Sequence, residues 1–230
     1  MADMQLGNGD YFIDIVMCID GTASMSPIIE NVKANALSFY EQFLEAMEAN
    51  SKSASQVRVK VIVFRDYGCD ANPMEESKFF LLPDEKEDLH NFVNGIEAIG
   101  GGDIPENGLE ALALAMKSDW TTGGSNRRHA ILMFSDAPAL ELGARKDVPG
   151  YPEGMPESLG QLGEWWTGES QEMGGTFQAN KGRLVLFVPN ASPWSEIQTW
   201  GRIWPAFSKA GEGLKEASLQ NALDILVGSF

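Results

Sequence analysis

An alternating α/β fold built on a mostly parallel sheet, with helices on both faces, is what this sequence predicts. Three observations carry that prediction. Short apolar runs, "YFIDIVMCI", "VKVIVF", "AILMF" and "LVLFV", recur along the chain as buried strands do. Segments with helical spacing of apolar residues lie between them. Loops rich in Gly, Pro and Asp punctuate the joins.

In chain order, residues 11–19 form the first strand, ending at Asp20. Ser26 and Pro27 give an N-cap and first-turn signal. A single long helix is then expected through "IIENVKANALSFYEQFLEAMEAN", with Ile29, Val32, Ala36, Phe39, Phe43 and Met47 on one face. "QVRVKVIVF" is the second strand, "RDYGCDANP" a loop, and "KFFLL" a short edge strand. "DEKEDLHNFVNGIEAI" is helical, with acidic residues in the first turn, where the helix dipole favours them. "GGGD" makes a tight loop before a helix beginning at Pro105, and "RHAILMF" is a strand running to Asp136. Residues 141–182 are rich in Gly, Pro and Glu, contain one short helix at "SLGQLGEWW", and elaborate one end of a single domain spanning 1–230. "GRLVLFVPN" is a strand. "PWSEIQTWGRIW" is expected as a helix aligning Trp194, Ile197, Trp200 and Trp204, and "SLQNALDILVGSF" as the last helix.

The chain is 230 residues long and 43% hydrophobic, enough for a substantial core. Its 33 acidic and 17 basic residues give a formal charge of −16, which argues against nucleic-acid binding and suits cations or basic partners. No apolar stretch is long enough to span a bilayer. "MADMQLGNGDYF" lacks the basic and apolar regions of a secretory signal. Cys18 and Cys69 make no disulfide framework, so a reducing cytoplasm is expected.

Three loops concentrate oxygen donors: "DGTAS", "GGGDIPE" and "SDAPA". Together they offer Asp20, Thr22, Ser24, Asp103 and Asp136. In folds of this class ligands bind outside the carboxyl ends of the strands. An oxygen-only set without His or Cys suits magnesium, manganese or calcium. Each residue also has a structural reading. Asp20 can cap a loop, Thr22 and Ser24 can satisfy turn amides, Asp103 can cap the helix at Pro105, and Asp136 can shape a turn before Pro138. Ser26 fits a cap, and Arg65 either orients a carboxylate or, the preferred reading, makes a surface pair with Asp66. Trp165 and Trp166 either present a partner platform or pack the elaboration, while His90 and His129 are isolated and form no catalytic dyad.

"DGTAS" resembles the D-x-S/T-x-S signature of von Willebrand factor A domains, and "SDA" after "AILMF" resembles that family's last metal-associated aspartate. "GGGDIPENGLEAL" and "VFRDYG" resemble its hemicentin, alpha-kinase-linked and bacterial cytosolic branch. The resemblance implies a doubly wound, six-stranded, mostly parallel sheet with one antiparallel edge strand and a metal-ion-dependent adhesion site, magnesium first among its cations. Carried onto this chain, Asp20, Thr22 and Ser24 are the first-loop ligands. Asp136 is the third-loop ligand, often acting through water. Asp103 stands where integrin-type domains have threonine. With Asp103 three carboxylates would surround a divalent ion, leaving about one net negative charge, tightening the cation and weakening its pull on an acidic partner group. The resemblance further implies a non-enzymatic scaffold or adaptor that meets a protein partner at its metal face, within a bacterial stress or signalling system.

Two rivals stand beside that reading. "CIDGT" is similar to the start of haloacid-dehalogenase-type phosphatases, but their nucleophilic aspartate would fall on Cys18, which leaves metal-assisted hydrolysis as the enzymatic alternative. A structural domain with a non-functional metal site is the other.

Overall fold

A computed structural model describes residues 11–101, 105–170, 172–209, 211, 214 and 218–230. Among the described residues seven strands form one sheet: β1 (Tyr11–Asp20), β2 (Ala54–Phe64), β3 (Met74–Glu76), β4 (Phe80–Leu82), β5 (Asn126–Phe134), β6 (Gly182–Pro189) and β7 (Ile203–Ser208). Their order is β3-β2-β1-β5-β6-β7, with β4 also on β2. The pairs β1–β2, β1–β5, β5–β6 and β6–β7 are parallel, whereas β3 and β4 run antiparallel to β2. The expected antiparallel edge is therefore present in two pieces. Between them Ser77 takes over the pairing, its N–H donating to Val61 O at 2.9 Å and its hydroxyl accepting from Val61 N at 2.9 Å.

Helices cover both faces. On one, α1 (Ser26–Asn35), α2 (Phe39–Ala49), α3 (Lys86–Asn94) and α7 (Leu219–Gly228) pack on Ile13, Ile15, Met17 and Ile19 of β1. On the other, α4 (Gly108–Met116), α5 (Leu159–Thr167) and α6 (Trp194–Ile197) pack on Val16 and Cys18. Alternate β1 residues thus serve opposite cores, which is why the run is apolar throughout.

Three local expectations are corrected. The long helix after β1 is two helices, because the chain tightens at 36–38, where Ser38 N bonds Asn35 O at 3.1 Å and Gln42 Nε2 braces Asn35 Oδ1 at 3.1 Å. Its apolar face survives, with Ile29, Val32, Ala36, Phe39, Phe43 and Met47 all buried. Ser26 is the first residue of α1 and not its cap, since a short 3-10 turn at Ala23–Met25 leads into the helix. Trp204 lies on strand β7 and not on a helix, because α6 ends at Ile197, a 3-10 turn follows, and Gly201 at φ 80° breaks the run. Trp194 is fully buried, as are Trp165 and Trp166 at 3% and 0% exposure, so the tryptophan pair packs the elaboration.

His129 of β5 shows what burial does to a titrating group. Its ring stacks on Trp120 with centroids 4.9 Å apart. Gln178 N donates to Nδ1 at 3.1 Å and Nε2 lies 3.0 Å from Thr121 O, which fixes the neutral Nε2–H tautomer. Burial lowers its pKa to about 4. An unfolded imidazole titrates near about 6.5, so the folded state binds fewer protons between these values. The contribution is complete above the upper value and disappears as pH falls to the lower one, a loss on the order of 3 kcal/mol. In urea unfolding across that window, His129→Gln is expected to have a flatter acid limb than wild type. Parallel limbs would show that His129 adds no such slope.

Candidate metal centre

The sheet's strand order reverses beside β1, so the loops leaving β1 and β5 flank the crevice where ligands settle in doubly wound folds. Asp20 is the last residue of β1 and fully buried. Its Oδ1 accepts from Thr22 N at 3.0 Å and from Thr22 Oγ1 at 2.6 Å. Its Oδ2 accepts from Ser135 Oγ at 2.7 Å. Thr22 Oγ1 lies 3.3 Å from Ser24 Oγ, and Ser24 Oγ donates to Asp136 Oδ1 at 3.0 Å. Four of the five sequence-selected residues thus join in one chain of oxygens across two loops. The fifth, Asp103, lies outside the described residues.

Burial raises the pKa of Asp20 to about 6, against the lowering effect of the Thr22 and Ser135 bonds and with the Asp136 charge adding to the rise. Asp20 makes no ion pair among the described residues. A buried carboxylate held only by neutral donors is the feature a hard cation would compensate. No cluster of three or more His, Cys, Asp or Glu side chains suited to a metal occurs among the described residues. The donor set there is two carboxylates and two hydroxyls, all oxygen, which fits magnesium, manganese or calcium and no softer ion.

Arg65 underpins the first loop, and sequence reasoning misplaced it. It is 2% exposed and pairs with Glu75 at 2.8 Å, not with Asp66. Its Nε donates to Gly21 O at 3.1 Å, Nη1 to Asn72 O at 2.9 Å and Nη2 to Glu97 O at 2.8 Å. One guanidinium therefore ties the first loop to the segment that leads into "GGGD". That segment also approaches directly, with Ile99 N donating to Gly21 O at 3.0 Å. At Gly101, φ is +81° and a Cβ would lie 2.9 Å from Thr22 Cβ, so glycine is required for this contact.

Asp66 pairs instead with Arg145 of the elaboration, at 2.7 and 2.5 Å. Burial opposes its charge, yet the Arg145 fork and the Gly68 N–H hold its carboxyl below the ordinary value. Glu110 of α4 accepts from Tyr151 at 2.8 Å, a second tie to the elaboration. The third loop is propped by Trp194 Nε1, which donates to Ala137 O at 3.0 Å. Ser135 was also missed, although its place directly before Asp136 at a strand end was a usable signal. Cys18 faces the helix α4 side, its thiol pointing to Ala111 O at 3.7 Å, and burial drives its pKa far upward. It has none of the character of a nucleophile.

A family model of the von Willebrand factor A domain matches residues 14–149. Among solved structures, the pilus adhesin SpaC from Lactobacillus rhamnosus GG is similar in fold, with a TM-score of 0.52 at 9% identity over 96% of this chain and 30% of that one. A von Willebrand factor type A protein from Catenulispora acidiphila gives a TM-score of 0.52 at 9% identity over 95% of this chain and 43% of that one. The chain therefore spans less than half the length of either. No curated protein matches it by sequence.

Proposed function

Because the chain belongs to the von Willebrand factor A domain family, we propose that it is a non-enzymatic, metal-dependent protein-interaction module. Its divalent-cation site is formed by Asp20, Thr22, Ser24 and Asp136, with Asp103 as the further donor. The observation that supports this most is the oxygen chain from Ser135 through Asp20, Thr22 and Ser24 to Asp136, built around a buried carboxylate with no ion pair among the described residues. The bound cation, magnesium by preference and manganese or calcium as substitutes, supplies a Lewis-acidic position for an oxygen of the partner protein. Asp20 orients the Thr22 hydroxyl, Ser135 holds the second oxygen of Asp20, and Ser24 links the first loop to Asp136. With Asp103 included, the third carboxylate tightens the cation and moderates its pull on an acidic partner group. The setting proposed is the bacterial cytoplasm, in a multi-protein stress or signalling system. No helix among the described residues is long and apolar enough to cross a membrane.

Calorimetric titration with magnesium, manganese and calcium tests the site, and affinity capture with and without chelator tests the interaction. Heat from at least one ion and a partner lost on chelation are expected. Silence from all three ions would remove the metal from the reading, and capture unaffected by chelator would separate partner binding from it.

A further inference from the structure

The seven arginines of this acidic chain divide sharply by their partners. Arg58, Arg65 and Arg145 each grip a carboxylate, of Asp14, Glu75 and Asp66. Arg127, Arg128, Arg183 and Arg202 form no ion pair among the described residues. These four share one place. Arg127 and Arg128 open β5, Arg183 opens β6, and Arg202 directly precedes β7, so all lie at the amino-terminal ends of three adjacent parallel strands, opposite the metal centre. Lys52, just before β2, stands at the same end.

Their donors fall mainly on carbonyls. Arg183 Nε reaches Ser229 O at 3.0 Å and Lys52 Nζ reaches Val227 O at 2.7 Å, both at the carboxyl end of α7. Arg128 Nη1 bonds Arg127 O at 2.8 Å, and Arg202 Nη2 only approaches Trp166 O at 3.5 Å. Aromatic rings hold the guanidiniums in place. Arg128 lies 4.8 Å from the Tyr11 ring centroid and Arg183 6.0 Å from that of Trp204. The cations also oppose one another, since burial and the Arg128 charge both lower the proton affinity of Lys52 and of Arg183. Capping the carbonyls of α7 accounts for Lys52 and Arg183. It does not account for Arg127, Arg128 and Arg202, which like Arg183 form no ion pair among the described residues in a chain where acids outnumber bases 33 to 17.

We propose that this basic end of the sheet is a docking surface for a short, carboxylate-rich segment of a partner protein. Arginine's planar fork matches carboxylates two bonds at a time. Arg128 and Arg183, on the α7 face of adjacent strands about 4.8 Å apart, place two forks within reach of one peptide, with Arg127 and Arg202 at the same end of the sheet. A short segment suits the patch better than a nucleic acid, because a long polyanion would extend beyond the patch, past the roughly 8 Å screening distance, over a chain whose formal charge is −16. This surface is independent of the metal centre.

The test is fluorescence anisotropy of labelled hexaglutamate with the whole chain, in chelator so that the metal centre takes no part. Binding is expected in low salt, weakened about tenfold in Arg128→Gln/Arg183→Gln and by half-molar salt. Arg128→Gln alone, which leaves the α7 carbonyl bonds intact, should weaken it severalfold, and circular dichroism then separates lost docking from a loosened helix. Absence of binding, undiminished binding by Arg128→Gln, or tighter binding of a twelve-nucleotide thymidine strand than of hexaglutamate would overturn the proposal.

Discussion

Asp20→Asn is expected to stabilise the protein without metal and to abolish its stabilisation by metal. The side chain keeps its shape, and its amide can still meet Thr22 and Ser135, which lie 2.6 and 2.7 Å from the native carboxylate. What disappears is a buried charge whose pKa stands at about 6. Each unit above the ordinary carboxyl value costs about 1.4 kcal/mol near neutral pH, so the metal-free variant should gain up to about 3 kcal/mol. Wild type should show the opposite dependence on cations. At a hundredfold excess over Kd, binding adds about 2.7 kcal/mol, which raises Tm by roughly 5–10 °C in a chain of this length. The two melting curves should therefore cross as manganese or magnesium is added. A variant less stable than wild type in chelator, or one that still gains from cations, would refute the assignment of Asp20.

Arg65→Met should be the most damaging single change beneath the site. It leaves Glu75 without its cation and strips donors from Gly21 O, Asn72 O and Glu97 O. Glu75 is 41% exposed, so the cost falls mainly on the stranded carbonyls, about 1–3 kcal/mol for each that stays buried, or a Tm drop of roughly 5–10 °C. Because two of those carbonyls belong to the segments that shape the metal centre, cation affinity should also fall about ten- to a hundredfold. Arg65→Lys restores the charge but not the fork, and should recover only part of either loss. Urea unfolding within about 1 kcal/mol of wild type would contradict this account.

The first and third loops were legible because their chemistry is local. Asp20, Thr22 and Ser24 sit at alternate positions of one turn, and Asp136 follows an unbroken apolar run. Arg65 was not legible, because its four acceptors come from residues 21, 72, 75 and 97 and only the folded chain brings them together. Trp204 was misassigned for a related reason. Its spacing from Trp200 satisfies a helix, but the left-handed turn at Gly201 and the pairing with Val185 of β6 override that periodicity. The break between α1 and α2 left the buried face intact, so hydrophobic pattern alone could not reveal it.

The margin of the sheet at β7 bears on how the protein behaves when concentrated. Arg202 O accepts from Leu184 N, so even-numbered residues of β7 point their amides toward β6 and Pro205 points outward. An incoming chain that tried to extend the ladder would meet a missing amide at the middle of the strand. At the other margin the interruption around Ser77 leaves only two strands of 3 residues each. Neither border offers the long, regular template that fibrillar growth requires, and resistance to such growth is built into the sheet at both of its outer rows.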